Sequence, residues 1–437
     1  MTISLERTSG SEIVPFAMTS PMRVPRERYF DRGFFELEKE KLWRRVWQMA
    51  CRLEEIPEPG DFVEYEICDQ SLLVVRQLDY SVKAFENACR HRATQLAVGA
   101  GRLPGRQIVC PFHGWRWNLD GTNSFVFHDE QFAPECTQPE DLRLRACKVD
   151  TWGGCVWVNL DRDARPLREA LSPAAGILDG LGVENMRVKY WKEVILHANW
   201  KVAQEAFFEG YHVPQTHPQL WQCGADATMP AVYQVFENGH GQFTGGSEFA
   251  EMDKDTFIEM MRLLWEGQDA MTLEREVRLF EGLRNQVSPG ESFITAAVQA
   301  VYNYAKGAGI PMPPMENAGL WGGGMFVFPN YMMLPMWANS LAYRSRPYRD
   351  DPEWCRFEVW SLETYPVDSE PEGRPVVARY DQDDAHGWGL IPRQDFSNIE
   401  RQQRGLHTLS FGSTRLATEW ERLISSMHVE LDRYLAR

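Results

Sequence analysis

Two short stretches of the chain pair a cysteine with a histidine: Cys89 and His91 in the run CRHR, and Cys110 and His113 in the run CPFHGW, with eighteen residues between His91 and Cys110. Four soft or borderline ligands in two loops can hold a metal. A structural zinc also takes two Cys and two His, but common zinc patterns put both Cys in one knuckle and both His in the other. Here each loop carries one of each. That alternation is what a [2Fe-2S] cluster needs when Cys binds one iron and His the other, and imidazole in place of thiolate raises its reduction potential.

A second group lies in the run NWKVAQEAFFEGYHVPQTHP at 199–218. Glu209 and His212 are three residues apart, ~300° round a helix, and are expected to share one of its faces. His217 is five further on, ~140° round and on the wrong side. Pro214 and Pro218 end or distort the helix there, so a turn can bring His217 back toward His212. Two convergent His with one carboxylate and open positions make a non-haem Fe(II) site that activates O₂. On spacing alone, a pair of satisfied histidines at a helix end competes with that reading. A one-electron cluster elsewhere in the chain needs a redox acceptor, which favours iron. For the carboxylate, Glu205, Glu209, Asp381, Asp383, Asp384 and Asp395 are all open candidates.

The elements that must position these groups come in three parts. At 437 residues the chain holds about three domains' worth of polypeptide. Residues 1–44 read as an N-terminal arm, polar and mobile at first, followed by one amphipathic helix over 26–47 with Phe30, Phe34 and Leu37 on its stripe. From 45 to 165, short β-type runs such as FVEYEI, SLLVVRQ and GCVWVNLD between Gly, Pro, Asp and Asn turns predict an all-β domain. Residues 166–437 mix helices near 199–212, 253–286 and 413–435 with strands at 187–197, 324–345 and 354–364, an α+β pattern. The stretch from about 238 to 314, loose and rich in Gly and Met, reads as an insertion or lid. A net charge of −16 argues against nucleic acid or an anionic membrane surface as partner. With 43% hydrophobic and 25% charged residues, the composition is that of a folded protein. No run reaches the ~18 apolar residues of a membrane span, and the start lacks the pattern of a secretory signal. A cytoplasmic location is expected, with the nine cysteines reduced or bound to metal.

The stretches ENACRHRA, IVCPFHGWRWNLDG and WGGCVWVNLD resemble the Rieske domain of ring-hydroxylating oxygenase α subunits. The run NWK, the E-G-Y-H-x4-H spacing, FVFPN at 326–330 and QDFSNIERQQRG at 394–405 resemble that family's catalytic domain, in the family's own order. The resemblance spans most of 45–410. It implies an all-β Rieske [2Fe-2S] domain and an α+β catalytic domain built on a large antiparallel sheet of the helix-grip, START-like kind. It further implies that Cys89 and Cys110 bind one cluster iron, that His91 and His113 bind the other, and that His212, His217 and Asp395 hold Fe(II). Glu209 is then not an iron ligand. In the homotrimer usual for the family it couples His212 of one chain to His113 of the next. One departure is Ala206, where family members often carry Asn.

No G-x-G-x-x-G follows a strand, so flavin and pyridine nucleotide chemistry must lie on a separate NAD(P)H-dependent reductase, acting directly or through a ferredoxin. Phe207, Phe208 and Tyr211 beside the histidines, with Met325, Phe326, Phe328, Met332, Met333 and Trp337 in the later strands, suggest a small apolar substrate, aromatic or polycyclic, for ring dihydroxylation with O₂. Each of these residues has ordinary core packing as its alternative. The competing activities are a Rieske monooxygenase or O- or N-demethylase and, from another class, a non-catalytic [2Fe-2S] electron carrier. A β subunit is compatible with any of the enzyme readings.

Overall fold

The structure, a computed structural model, describes residues 14–222, 230–245, 252–288, 290–320 and 322–437. Most of the expected mobile start lies outside them. The chain divides into two compact units, residues 43–170 and the segment before residue 43 together with 171–437.

The first unit is built on strands. These are β1 (Gln48–Arg52), β2 (Asp61–Ile67), β3 (Gln70–Arg76), β4 (Val82–Glu86), β5 (Ala100–Arg102), β6 (Gln107–Val109), β7 (Arg116–Asn118), β8 (Asn123–Phe125), β9 (Ala146–Trp152) and β10 (Cys155–Asn159). Seven form one sheet in the order β1-β10-β9-β4-β3-β2-β5, and β6-β7-β8 form a small second sheet. All pairings are antiparallel, as short strands joined by tight turns require. Leu73, Val75, Phe85, Trp115, Trp117 and Leu119 share one apolar core, which brings the loops after β4 and β6 together. Its helices, α2 (Pro139–Leu142) and α3 (Leu167–Ala170), are single turns.

The second unit is organised round an eight-stranded sheet. In chain order its strands are β11 (Arg187–Leu196), β12 (Pro230–Val235), β13 (Gly241–Gly245), β14 (Gly324–Val327), β15 (Tyr331–Met336), β16 (Asn339–Pro347), β17 (Cys355–Glu363) and β18 (Val377–Arg379). They lie in the order β12-β13-β14-β15-β16-β17-β11-β18, antiparallel except for the last pair. Arg344 on β16 and Glu358 on β17 are direct partners across the ladder, 2.7 Å apart and buried. Burial pushes the Glu358 carboxyl up, but the Arg344 and Arg346 guanidiniums outweigh it and hold its pKa at about 2. Around the sheet lie α1 (Arg32–Leu37), α4 (Ala174–Asp179), α5 (Trp200–Glu205), α6 (Val213–Thr216), α7 (Pro218–Gln222), α8 (Lys254–Gln268), α9 (Glu274–Leu283), α10 (Phe293–Ala308), α11 (Leu390–Leu406) and α12 (Arg422–Leu435).

Two local expectations are corrected, the helices over 26–47 and 199–212. Residues 26–47 are not one helix but a 3₁₀ turn at Arg26–Tyr29, then α1, then a wide π-type turn at Glu38–Trp43. Asp31 breaks the run because its carboxylate accepts the Phe34 N–H at 2.8 Å and so starts a new helix. Within the stretch expected as an insertion, residues 254–308 carry three helices. α8, α9 and α10 pack on one another through Phe257, whose ring meets Phe280 edge-on at 5.2 Å and Phe293 at 5.9 Å. The helix over 199–212 stops at Glu205, so Glu209 and His212 lie in the turn beyond it. Among the described residues no helix is long and apolar enough to cross a membrane.

Candidate metal centres

The two Cys-His loops of the first unit have the same backbone plan. The Cys89 N–H donates to the Thr94 carbonyl and the Cys110 N–H to the Trp115 carbonyl, both at 2.8 Å. Five residues on from each cysteine, the chain has therefore closed on itself. Between them, the Cys89 carbonyl accepts from Ala93 and the Cys110 carbonyl from Gly114, and both of these residues take positive φ, 58° and 71°. This left-handed step costs glycine little and alanine more. The plan presents Cys89, His91, Cys110 and His113 from two similar turns. The imidazoles of His91 and His113 stand 4.8 Å apart, and the Trp115 ring stacks on His91 at 4.8 Å. Cys89 and Cys110 are buried, and burial pushes the Cys89 thiol up to about 11. The Nδ1 of His91 is buried with no hydrogen-bond partner among the described residues. An orphaned ring nitrogen beside two buried thiols fits a group that needs thiolate at one end and imidazole at the other.

In the second unit His212, His217 and Asp395 come together: one donor atom from each lies within 4.8 Å of the others, the one such grouping of three among the described residues. The turn that carries the histidines is made by side chains. Glu209 accepts the His212 N–H on Oε2 at 3.0 Å, so the backbone leaves the helical pattern, and Pro214 then opens α6. His217 closes α6 and precedes α7, which turns its ring to within 5.3 Å of His212. Asp395 arrives from the first half of α11, buried. Its Oδ1 is 3.1 Å from Nε2 of His217 and 3.7 Å from Nε2 of His212.

Both rings are held from behind. The Nδ1 of His212 meets Glu209 Oε1 at 2.9 Å, and the Nδ1 of His217 meets Gln394 Oε1 at 2.8 Å. With Nδ1–H donated to an acceptor, each ring turns Nε2 toward Asp395, where a metal would displace any proton on it. Burial opposes protonation of His212, yet the hydrogen bond and charge of Glu209 and the charge of Asp395 outweigh it and lift its pKa to about 8. The donor set of two imidazoles and one carboxylate fits a divalent iron. Gln394, itself held by Gln219 through two amide contacts of 3.0 and 3.1 Å, was not among the residues singled out from the sequence. Amides carry no ligand signature, and only its place next to Asp395 could have drawn attention to it.

The other candidate carboxylates do not join the group. Glu205 is buried against the Tyr29 hydroxyl at 3.1 Å and Nε2 of His428 at 2.8 Å, and burial raises its pKa to about 8. It ties α5 to the N-terminal turn and α12.

A cavity of about 300 Å³ opens on the three donors. Phe207, Phe243, Met260, Leu264, Met336 and Ile391 are among the apolar side chains on its wall, and Ala206 borders it where a longer side chain would intrude. Of the nine aromatic and Met residues expected there, only Phe207 lines it. Phe208, Met325, Phe326, Phe328, Met332, Met333 and Trp337 are core, and Tyr211 is 58% exposed. They flank the histidines in sequence or lie on nearby strands, but none of them reaches the cavity wall. α8 supplies much of the wall instead.

Residues 46–131 match the family model described as Rieske [2Fe-2S] domain, and residues 183–437 match that described as ring hydroxylating alpha subunit (catalytic domain). The 2-aminobenzenesulfonate 2,3-dioxygenase subunit alpha of an Alcaligenes species is 32% identical over 212 residues, 48% of this chain and 53% of that protein. The aligned part thus spans about half the length of such curated relatives. Among solved structures, naphthalene 1,2-dioxygenase with indole bound in the active site superposes with a TM-score of 0.66 at 19% identity, covering 97% of this chain and 94% of that one. The quaternary ammonium Rieske monooxygenase CntA in complex with L-carnitine does so with a TM-score of 0.64 at 18% identity, covering 95% and 97%. These structures share the fold of this chain. Since the catalytic-domain match alone takes in more than half of the 437 residues, the chain belongs to the ring-hydroxylating alpha subunit family, with a Rieske [2Fe-2S] domain and a non-haem iron catalytic domain.

Proposed function

We propose that this chain is the terminal oxygenase component of a multi-protein system. With O₂, and with electrons passed from NAD(P)H by a separate flavin reductase directly or through a ferredoxin, it hydroxylates an apolar, aromatic or polycyclic substrate by ring dihydroxylation. One observation carries the reading: His212, His217 and Asp395 converge on the wall of an apolar cavity. When bound, the iron supplies open positions for O₂ and the cluster supplies single electrons.

The chain's own residues do the rest. His212, His217 and Asp395 would hold the iron; Cys89 and Cys110 would hold one cluster iron, and His91 and His113 the other. Glu209 and Gln394 fix the imidazole orientations. The apolar wall keeps bulk water from the reacting atoms. Glu209 is also assigned to electron coupling toward the cluster of a neighbouring subunit in a homotrimer. Its support is the hydrogen bond to His212, which makes the carboxylate part of the iron's immediate surroundings.

The test is product analysis under ¹⁸O₂ with reductase, NADH and an aromatic hydrocarbon. Two labelled oxygens in one product molecule support ring dihydroxylation. One labelled oxygen assigns the chain to monooxygenation or demethylation, and none removes the oxygenase reading.

A further inference from the structure

If the chain is an oxygenase, as proposed, the wall of the cavity carries information about the substrate beyond its apolarity. No lysine or arginine lines the cavity among the described residues. Among the described residues its carboxylates are Glu209, bonded to His212, and Asp395, in the metal-binding group. A carboxylate or sulfonate entering it would lose its hydration without gaining a lysine or arginine partner. A quaternary ammonium would need a free carboxylate or an open box of aromatic faces. Two of the three aromatic rings on the wall are already stacked, Phe207 on Tyr343 at 4.3 Å and on Phe357 at 4.9 Å, which leaves Phe243 alone and no box.

Two polar side chains on the wall are nevertheless left without partners. Gln268, at the end of α8, is 7% exposed, and Tyr343 on β16 is 5% exposed. The backbone carbonyl of Gln268 accepts the Tyr190 hydroxyl at 2.7 Å, but its side-chain amide makes no hydrogen bond among the described residues, and neither does the Tyr343 hydroxyl. Both line the cavity. An amide and a hydroxyl left free on the wall can each pair with a matching group on a bound molecule. A site built to hydrogen-bond a substrate group also rejects analogues that lack it.

We propose that the substrate is an uncharged molecule with an apolar body and one hydroxyl or carbonyl substituent, which pairs with the Gln268 amide and the Tyr343 hydroxyl. These two residues set specificity, and α8 and β16 together read the substrate's single polar group.

The experiment measures binding, not turnover. The holoprotein under argon is titrated by equilibrium dialysis with naphthalene, 2-naphthol, 2-naphthoate and phenyltrimethylammonium. The expected result is that 2-naphthol binds at least tenfold more tightly than each of the other three. Gln268→Leu and Tyr343→Phe, which keep bulk and stacking, should each close most of the gap between 2-naphthol and naphthalene. Equal affinity for those two, tighter binding of either ion, an unchanged gap in both variants, or no saturable binding of either neutral probe overturns the proposal. Because no reaction is required, a protein that prefers 2-naphthol yet incorporates no ¹⁸O supports this site and rejects the oxygenase reading. One that incorporates ¹⁸O without the preference does the reverse.

Discussion

Gln394 grips one nitrogen of the His217 ring at 2.8 Å, and the residue next to it in the chain, Asp395, faces the other nitrogen at 3.1 Å. One short stretch of α11 therefore sets both the orientation of the His217 imidazole and the carboxylate opposite it. Replacing Gln394 with Leu removes the acceptor while keeping the volume. Iron affinity should fall about 10–100-fold, as it does for outer partners of metal-bound histidines generally. Competition with a chromogenic chelator measures it, and affinity within twofold of wild type would remove the role.

His212→Ala, His217→Ala and Asp395→Ala should each lose mononuclear iron and turnover while the absorbance and EPR spectrum of the cluster persist, since the donors sit in separate compact units. Metal analysis with EPR of the reduced protein checks both at once. Iron retained in Asp395→Ala but lost in Glu209→Ala would reassign the carboxylate.

Glu209→Gln keeps size and an acceptor oxygen for His212 but removes the charge. Iron content should stay near normal and the cluster should still be reduced. Its reoxidation on mixing with substrate and O₂, followed by stopped-flow absorbance, should slow by at least tenfold. Wild-type reoxidation would leave Glu209 with only its orienting contact.

Glu276 caps α9 from within the core, where it accepts the Leu273 N–H at 2.9 Å. Burial, opposed by that hydrogen bond and by the charge of Arg275, lifts its pKa from 4.5 to about 7. The folded state thus binds the proton more tightly than the unfolded state. The stabilisation is full below pH 4.5 and is lost as pH rises through 7. Glu276→Gln retains the acceptor and cannot ionise. Its stability by chemical denaturation should exceed wild type by about 1–3 kcal/mol at pH 8 and converge with it toward pH 5. Parallel curves across that range would show that Glu276 does not titrate on unfolding.

Much of this molecule could be read from residue types. The alternation Cys89, His91, Cys110, His113 names a chemistry because few groups require that order, and the strands at 187–196, 331–347 and 355–363 follow their β-branched and aromatic runs. Pro214 and Pro218 were enough to foresee that His217 could swing back toward His212. What the sequence hid depends on competition or on distance. Helical spacing put Glu209 and His212 on one face, whereas the helix ends at Glu205 in tight turns at Phe207 and Phe208, before either. Gln394 and Gln268 are amides with no signature of their own. Gln268 reaches the cavity only because α8 folds against α11, a long-range contact that no local window contains.

The candidate metal donors come from the turns around α6 and from α11, while Gln268, Met260 and Leu264 come from α8, which packs with α9 and α10. Reactivity and recognition are thus written on different pieces of chain. Substitutions accumulating along α8 can reshape what enters without disturbing how the iron is held. Grafting α8 to α10 as one piece would change the cavity wall while leaving the turns around α6 and α11 in place.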